Sequence, residues 1–200
     1  MNRFLLILLF FSFGLLAQDS TIDSLKLALK NAKHDTTRCN ILNAMVESEG
    51  DDEVWPVYNG QLLELAKKNA ESSPTLKKFY LKHLANALNN IGFLAQQQGD
   101  VTKALDFYHQ SLIILEEIKN KEGIAGSLNN IGFIYKNLGD IPTALEYYHK
   151  SLKNLEDIND KKGIGYSLNN IAFIYDNQDD ITKALEYYKR SLKIQEEIKD

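Results

Sequence analysis

Lys121 to Asp160 reads KEGIAGSLNNIGFIYKNLGDIPTALEYYHKSLKNLEDIND, and Lys161 to Asp200 reads KKGIGYSLNNIAFIYDNQDDITKALEYYKRSLKIQEEIKD. The two segments are identical at 25 of 40 aligned positions, with SLNNI, FIY, ALEYY and SLK shared. Leu81 to Asn120 joins the same register through ALNNIGFL at Ala87 to Leu94 and KALDFYHQSL at Lys103 to Leu112. A period of 40 residues therefore runs three times through the chain, as 81–120, 121–160 and 161–200. Within a block, apolar residues recur at spacings of three and four around Leu128, Ile131, Ile134 and Tyr135, and again around Ala144, Leu145, Tyr148, Leu152 and Leu155. Each half is thus an amphipathic helix. Gly139 and Asp140 interrupt the pattern between the halves, with Asp140 placed to cap the second helix and Pro142 tolerated in its first turn. Asp160 to Gly163 does the same between blocks. A helix of about 16 residues is about 24 Å long, and one such hairpin cannot bury its own apolar face, so neighbouring hairpins must stack.

These residues resemble the tetratricopeptide repeat family. Leu128, Ile131, Gly132 and Tyr135 match its first-helix signature, Gly139 its turn, and Ala144 with Tyr148 its second helix. Gly132 and Ala144 are small where two helices must approach closely. Ser111, Ser151 and Ser191 stand where a late alanine is usual, Ala95 replaces a tyrosine, Ala172 a glycine and Asp179 the turn glycine. The usual repeat is about 34 residues, and the extra length is best placed in the helices. The chain is therefore similar to the long-repeat branch, which includes kinesin light chains, cell-polarity adaptors and bacterial peptide-responsive regulators. The resemblance implies an all-α, right-handed solenoid of antiparallel helical hairpins that binds peptides or protein segments in a concave groove.

Length and composition agree with one continuous domain after a leader. Apolar residues make up 44% and charged residues 25% of 200, with three prolines and eleven glycines, so no flexible tract divides the chain. A formal charge of -4 and no basic stripe exclude nucleic acid as a partner. Met1 to Arg3 gives a positive start and Phe4 to Leu16 an uncharged apolar run, ending at Ala17 before Gln18. This pattern predicts a signal peptide over 1–17, export to the periplasm or the medium, and a mature region with no stable membrane insertion, because the run is shorter than the about 20 residues a span requires. No cysteine follows the run, so no lipid anchor is expected. The lone Cys39 has no internal disulfide partner and reads as a small buried side chain.

Residues 18–80 read as a divergent helical capping region. Helices are expected over Ile22 to Ala32, Thr36 to Ser48, Glu53 to Ala70 and Pro74 to Gln98, with Asp35, Asp51, Asp52 and Ser73 as caps and Trp55 packed at a helix start. HDTTRCNILNAMVE and DDEVWPVYNGQLLELAKKN also resemble the exported repeat regions of bacterial signalling proteins. That likeness implies an alternative role, the sensory part of a larger histidine kinase, nucleotide cyclase or phosphatase whose effector lies beyond residue 200. The last repeat carries no polar closing helix, which leaves self-association through it as a further expectation.

No motif for catalysis is present: there is no GxSxG, no HExxH, no phosphate-cradling glycine loop and no cysteine pair, so no enzyme and no cofactor are expected. His109 and His149 occupy equivalent places on neighbouring hairpins, but two ligands in sight read as solvated surface rather than as a metal site. Asp176 to Asp180 lacks the central glycine of a calcium loop, and Tyr187 stands where its final glutamate belongs. What does recur without a scaffolding reason is asparagine: Asn89 and Asn90, Asn129 and Asn130, Asn169 and Asn170 sit mid-helix, where asparagine is a poor helix former. In the long-repeat branch the second asparagine of such a pair bonds the backbone of a bound peptide. The resemblance implies this role for Asn90, Asn130 and Asn170, with Phe93, Phe133 and Phe173 one turn on as an apolar groove floor. An amide both donates and accepts, so a ladder of amides can pair with an extended main chain whatever its sequence. The first asparagine of each pair serves equally well as a tie between hairpins. Gln96, Lys136 and Asp176 differ between repeats and would tune the choice of partner.

Overall fold

The computed structural model describes residues 21–199, and the signal peptide expected over 1–17 lies outside them. All regular structure among the described residues is helical. The helices are α1 (21–31), α2 (Asp35–Ser48), α3 (Trp55–Ser72), a 3-10 turn (Pro74–Leu76), α4 (Lys77–Gln97), α5 (Val101–Glu117), α6 (Lys121–Asn137), α7 (Ile141–Asp157), α8 (Lys161–Asn177) and α9 (Ile181–Lys199). They fall into two compact units that meet at Ala87 and Leu88, inside α4.

In the first unit α2 and α3 pack as a hairpin. Cys39, Leu42 and Met45 repeat at a spacing of three along α2, while Leu62, Ala66 and Ala70 repeat at four along α3, and all six are buried. Trp55 is buried at the first position of α3, as expected, with its indole N–H donating to Asp52 at 3.2 Å. Polar ties hold the helices together: Asn59 donates to the Ala87 carbonyl (3.0 Å), Asn69 to Asp35 (3.2 Å) and Asn86 to Asn43 (3.3 Å). The caps expected here differ from those observed. The N-caps of α2 and α3 are His34 and Val54, without side-chain cap bonds, and Ser73 makes none either. Asp35 is instead the first helical residue, its charge near the helix N-terminus, where the macrodipole favours it. Asp51 accepts from the Glu53 N–H and so shapes the turn before α3.

The second unit, from Leu88 onward, is far more regular. Helices α5 to α8 each contain 17 residues, and the same junction separates every successive pair from α4 to α9. Gly99, Lys119, Gly139, Asn159 and Asp179, spaced by 20, all have positive φ, between 54° and 80°. Each is followed by an Asp or Asn at 100, 120, 140, 160 or 180 whose side chain accepts from the N–H three residues on. At Gly139 the N–H donates to the Lys136 carbonyl (3.1 Å), and the Asp140 N–H reaches back to Tyr135 (3.0 Å). This is the paired 5→2 and 6→1 closure in which a left-handed residue satisfies the last helical carbonyls. One dipeptide thus both ends a helix and starts the next, so the repeat is 20 plus 20 residues.

The core of this unit forms where small residues admit large ones. Ala144, Tyr148 and Leu152 of α7 pack with Leu168, Ile171 and Ile174 of α8 in one cluster. Ala95, Ala104, Tyr108, Ile131 and Ile134 form the preceding one. Gly92 and Gly132 let the rings of Tyr108 and Tyr148 lie against the helix backbone, and burial pushes both phenols up to about 12. The serines that replace the usual alanine are not idle: Ser151 and Ser191 are buried and donate to the carbonyls of Ala125 (2.8 Å) and Gly165 (3.0 Å).

Candidate interaction face

The first helix of each hairpin in the second unit turns one polar and aromatic face outward. On α6 the residues Glu122, Gly126, Phe133 and Asn137 are exposed, with Asn129, Asn130 and Lys136 half-buried among them. On α8 the same register carries Lys162, Tyr166, Asn169, Asn170, Phe173 and Asp176. The asparagines are joined into a ladder. Asn130 donates from Nδ2 to Oδ1 of Asn89 at 2.9 Å, and Asn170 donates identically to Asn129 at 2.9 Å. The second asparagine of one repeat therefore reaches back to the first asparagine of the repeat before. The tie between hairpins is realised through Asn89, through both Asn129 and Asn130, and through Asn170. It consumes one of the two N–H groups of Asn130 and Asn170, leaving the second N–H and the amide oxygen of each for a partner. Asn90 and Asn169 lie in the same rows on α4 and α8.

One turn on, Phe93, Phe133 and Phe173 are 44%, 38% and 47% exposed, a large apolar surface to leave in water three times at one register. Lys136 lies over two of these rings, its Nζ 4.3 Å from the centroid of Phe133 and 5.3 Å from that of Phe173. The sequence marked Lys136 only as a variable position. The structure makes it a cation held between aromatic faces of successive repeats, an arrangement in which the ring quadrupoles attract the charge. At the equivalent places Gln96 accepts from the Tyr108 hydroxyl (3.1 Å), and Asp176 carries the opposite charge.

A cavity of about 210 Å³ that sequence reasoning missed opens beside the ladder, where α6 meets α8 over the end of α7. The signal for it was a register that differs in all three repeats, Asn86, Gly126 and Tyr166.

The remaining chemistry-bearing groups are dispersed. Cys39 is fully buried, and burial pushes its thiol up to about 11, well away from the thiolate a nucleophile or metal ligand needs. His109 is half-buried and His149 rests 6.0 Å from the Tyr187 ring at a tilt of 56°. Among the described residues no group of three or more His, Cys, Asp or Glu is placed to hold a metal ion. No helix among them is long and apolar enough to cross a membrane.

Antiparallel hairpins of equal helices, stacked through small residues and joined by left-handed turns, define a helical-repeat protein. The tetratricopeptide repeat model matches residues 83–157 and again 123–197, together more than half of the chain, and the chain belongs to that family. Comparison with curated protein sequences finds no significant match. Among solved structures, BtubC (BKLC) from P. vanneervenii is 19% identical with a TM-score of 0.71, covering 90% of this chain and 74% of its own. Aspartyl phosphate phosphatase F from Bacillus subtilis is 17% identical with a TM-score of 0.73, covering 86% and 44%. A Rap protein complexed with Competence and Sporulation Factor is 18% identical with a TM-score of 0.70, covering 96% and 53%. At these identities the likeness is one of fold, and the chain spans about half the length of the last two proteins.

Proposed function

We propose that this chain is an exported interaction module that binds an extended peptide or protein segment along the face of α4, α6 and α8 from Leu88 onward. The observation that carries this reading is the asparagine ladder. Its amides are fixed in place by bonds between repeats yet keep a donor and an acceptor each at Asn130 and Asn170, beside a row of exposed phenylalanines. Fixed amides lose little side-chain freedom on binding, which lowers the entropic cost of pairing with a main chain. The exposed rings supply apolar area without sequence demand. A similarly folded Rap protein is known in complex with Competence and Sporulation Factor, in line with this use of the fold. Export rests on the positive start and apolar run of residues 1–16.

The ladder also provides the test. Asn89→Ala breaks the bond to Asn130 but keeps the Asn130 amide, whereas Asn130→Ala removes both. Affinity capture from periplasmic extract with residues 18–200 as bait should be retained by Asn89→Ala. It should fall about tenfold or more in Asn130→Ala/Asn170→Ala, with helical circular dichroism unchanged, since each lost amide contact is worth about 1 kcal/mol. Capture by the double variant equal to that of the wild type would sink the groove assignment.

A further inference from the structure

The cavity beside the ladder has a composition that defines its occupant. Its apolar lining is Ala125, Gly126 and Leu155, its neutral polar lining Asn129, Ser151 and Ser167, its charged groups are Glu122 and Asp160, and Tyr166 stands at the rim. No lysine, arginine or histidine lines it. Two neighbouring cations are engaged elsewhere, Lys121 with Asp157 at 2.7 Å and Lys161 with Glu197 at 3.0 Å, and Lys162 is exposed outside the lining. Among the described residues Glu122 has no ion-pair partner, and Asp160 uses one carboxylate oxygen to cap α8 through the Gly163 N–H. Two carboxylates without an ion-pair partner among the described residues thus line a cleft whose other walls are aliphatic or neutral polar, with a tyrosine ring, 62% exposed, at the mouth. The volume of about 210 Å³ is below the roughly 300–1,000 Å³ of pockets that take a whole small molecule, and it suits a single long side chain.

We infer that this cavity receives a lysine or arginine side chain of the bound polypeptide. The aliphatic stem lies along Leu155 and Ala125, the head group meets Glu122 and the open oxygen of Asp160, and Tyr166 offers its ring to the cation. The inference rests on the groove reading above and deepens it. The ladder holds main chain without regard to sequence, and the cavity next to Asn129 supplies selectivity at one position. Gly126 is the residue that opens it. A Cβ built there meets nothing within 4 Å, so the absence of a side chain is not required by packing. The same register holds Asn86 and Tyr166 in the flanking repeats, so a cavity of this form belongs to one junction and marks a single place along the bound segment.

The test uses the full chain and a phage-displayed library of random dodecapeptides. Wild type should enrich peptides with a basic residue at one fixed position. Replacing that residue by norleucine in a synthetic peptide should weaken binding about tenfold, the effect of one desolvated charge contact. Gly126→Leu, which fills the cavity where space is open and helix propensity rises, should bind the basic and norleucine peptides equally. Glu122→Lys should shift the selected residue from basic to acidic, a reversal that no general loss of folding produces. Enriched peptides without a basic position, or no norleucine penalty, would overturn the cavity assignment while the groove reading stands. Failure to enrich any peptide over the Asn130→Ala/Asn170→Ala variant would overturn both.

Discussion

His83 is 7% exposed, its Nε2 lies 3.1 Å from the Asn40 amide oxygen, and its ring meets Phe79 edge-on at 4.6 Å. Asn40 can only accept at that oxygen, so Nε2 carries the proton and Nδ1 is left buried with no partner. Protonation would add a donor where no acceptor stands, and burial, with the Lys82 charge as the smaller cause, holds the imidazole below its ordinary value. The sign follows from linkage. The unfolded chain takes up this proton near pH 6.5, before the folded protein does, so stability is fully present above that pH and falls as the pH drops below it. His83→Gln, which keeps a donor for Asn40 and does not titrate, should lose less stability than wild type in urea melts compared between pH 7.5 and 5.5. Equal losses would show that the imidazole is not the group responsible. Nothing in the sequence announced this site: His83 has no companion within its own helix turn, and Asn40 lies 43 residues away. Cys39 was legible by contrast, because a lone cysteine on the apolar stripe of a helix has burial as its simplest reading.

At the scale of the element, one position decides how closely the helices of a hairpin approach. Gly92 and Gly132 are equivalent, yet the space around them differs. A Cβ at Gly92 would lie 2.8 Å from two atoms of the fully buried Tyr108 ring and 3.2 Å from the Ala104 carbonyl. At Gly132 the corresponding distances are 3.1 Å to the Tyr148 ring and 3.3 Å to the Ala144 carbonyl. Alanine gains about 1 kcal/mol of helix propensity over glycine, while overpacking a tight core costs about 1–3 kcal/mol. The clash should prevail at residue 92, where Tyr108 is also tied to Gln96, and Gly92→Ala should lower stability by about 1 kcal/mol, or a few degrees in a thermal melt. Gly132→Ala should stay within about 0.5 kcal/mol of wild type, since the two terms there nearly cancel. A larger loss at 132 than at 92 would contradict the geometry. The repeat, the break at Gly139 and Asp140 as a cap were all readable, because a repeated sequence displays the same turn several times. The turn residues Lys119, Asn159 and Asp179 were harder to read: each takes the left-handed conformation usually left to glycine, and only the Asp or Asn that follows betrays it. The caps of α2 and α3 were misplaced for the complementary reason, since a single divergent hairpin offers no second copy against which to set its register.

Across the stacked repeats of the second unit, each hairpin touches only its neighbours, so stability is a sum of hairpin terms and interfaces between them. Tyr148 sits at such an interface, 1% exposed in the cluster that joins α7 to Leu168 and Ile171 of α8. Tyr188, its equivalent in the next repeat, where Ala172 stands in place of the glycine, is only half-buried, on a helix that exposes Ile181, Leu185, Leu192 and Ile198. Removing a fully buried aromatic side chain costs about 3–5 kcal/mol, and the cost shrinks with the area that was never buried. Tyr148→Ala should therefore raise hydrogen exchange through α6, α7, α8 and α9 together, because it uncouples two hairpins at once. Tyr188→Ala should raise exchange in α8 and α9 alone and by a smaller factor. The same contrast bears on the proposed interaction face: Asn130 and Phe133 lie on α6 and Asn170 and Phe173 on α8, so the spacing of these residues depends on the interface that Tyr148 fills. If the two variants gave the same exchange pattern, the unit would unfold as one block and the nearest-neighbour account of the stack would fail. If Tyr148→Ala loosened all four helices and lost the partner while Tyr188→Ala kept it, the ladder would be shown to work as a ruler whose spacing the buried tyrosine maintains.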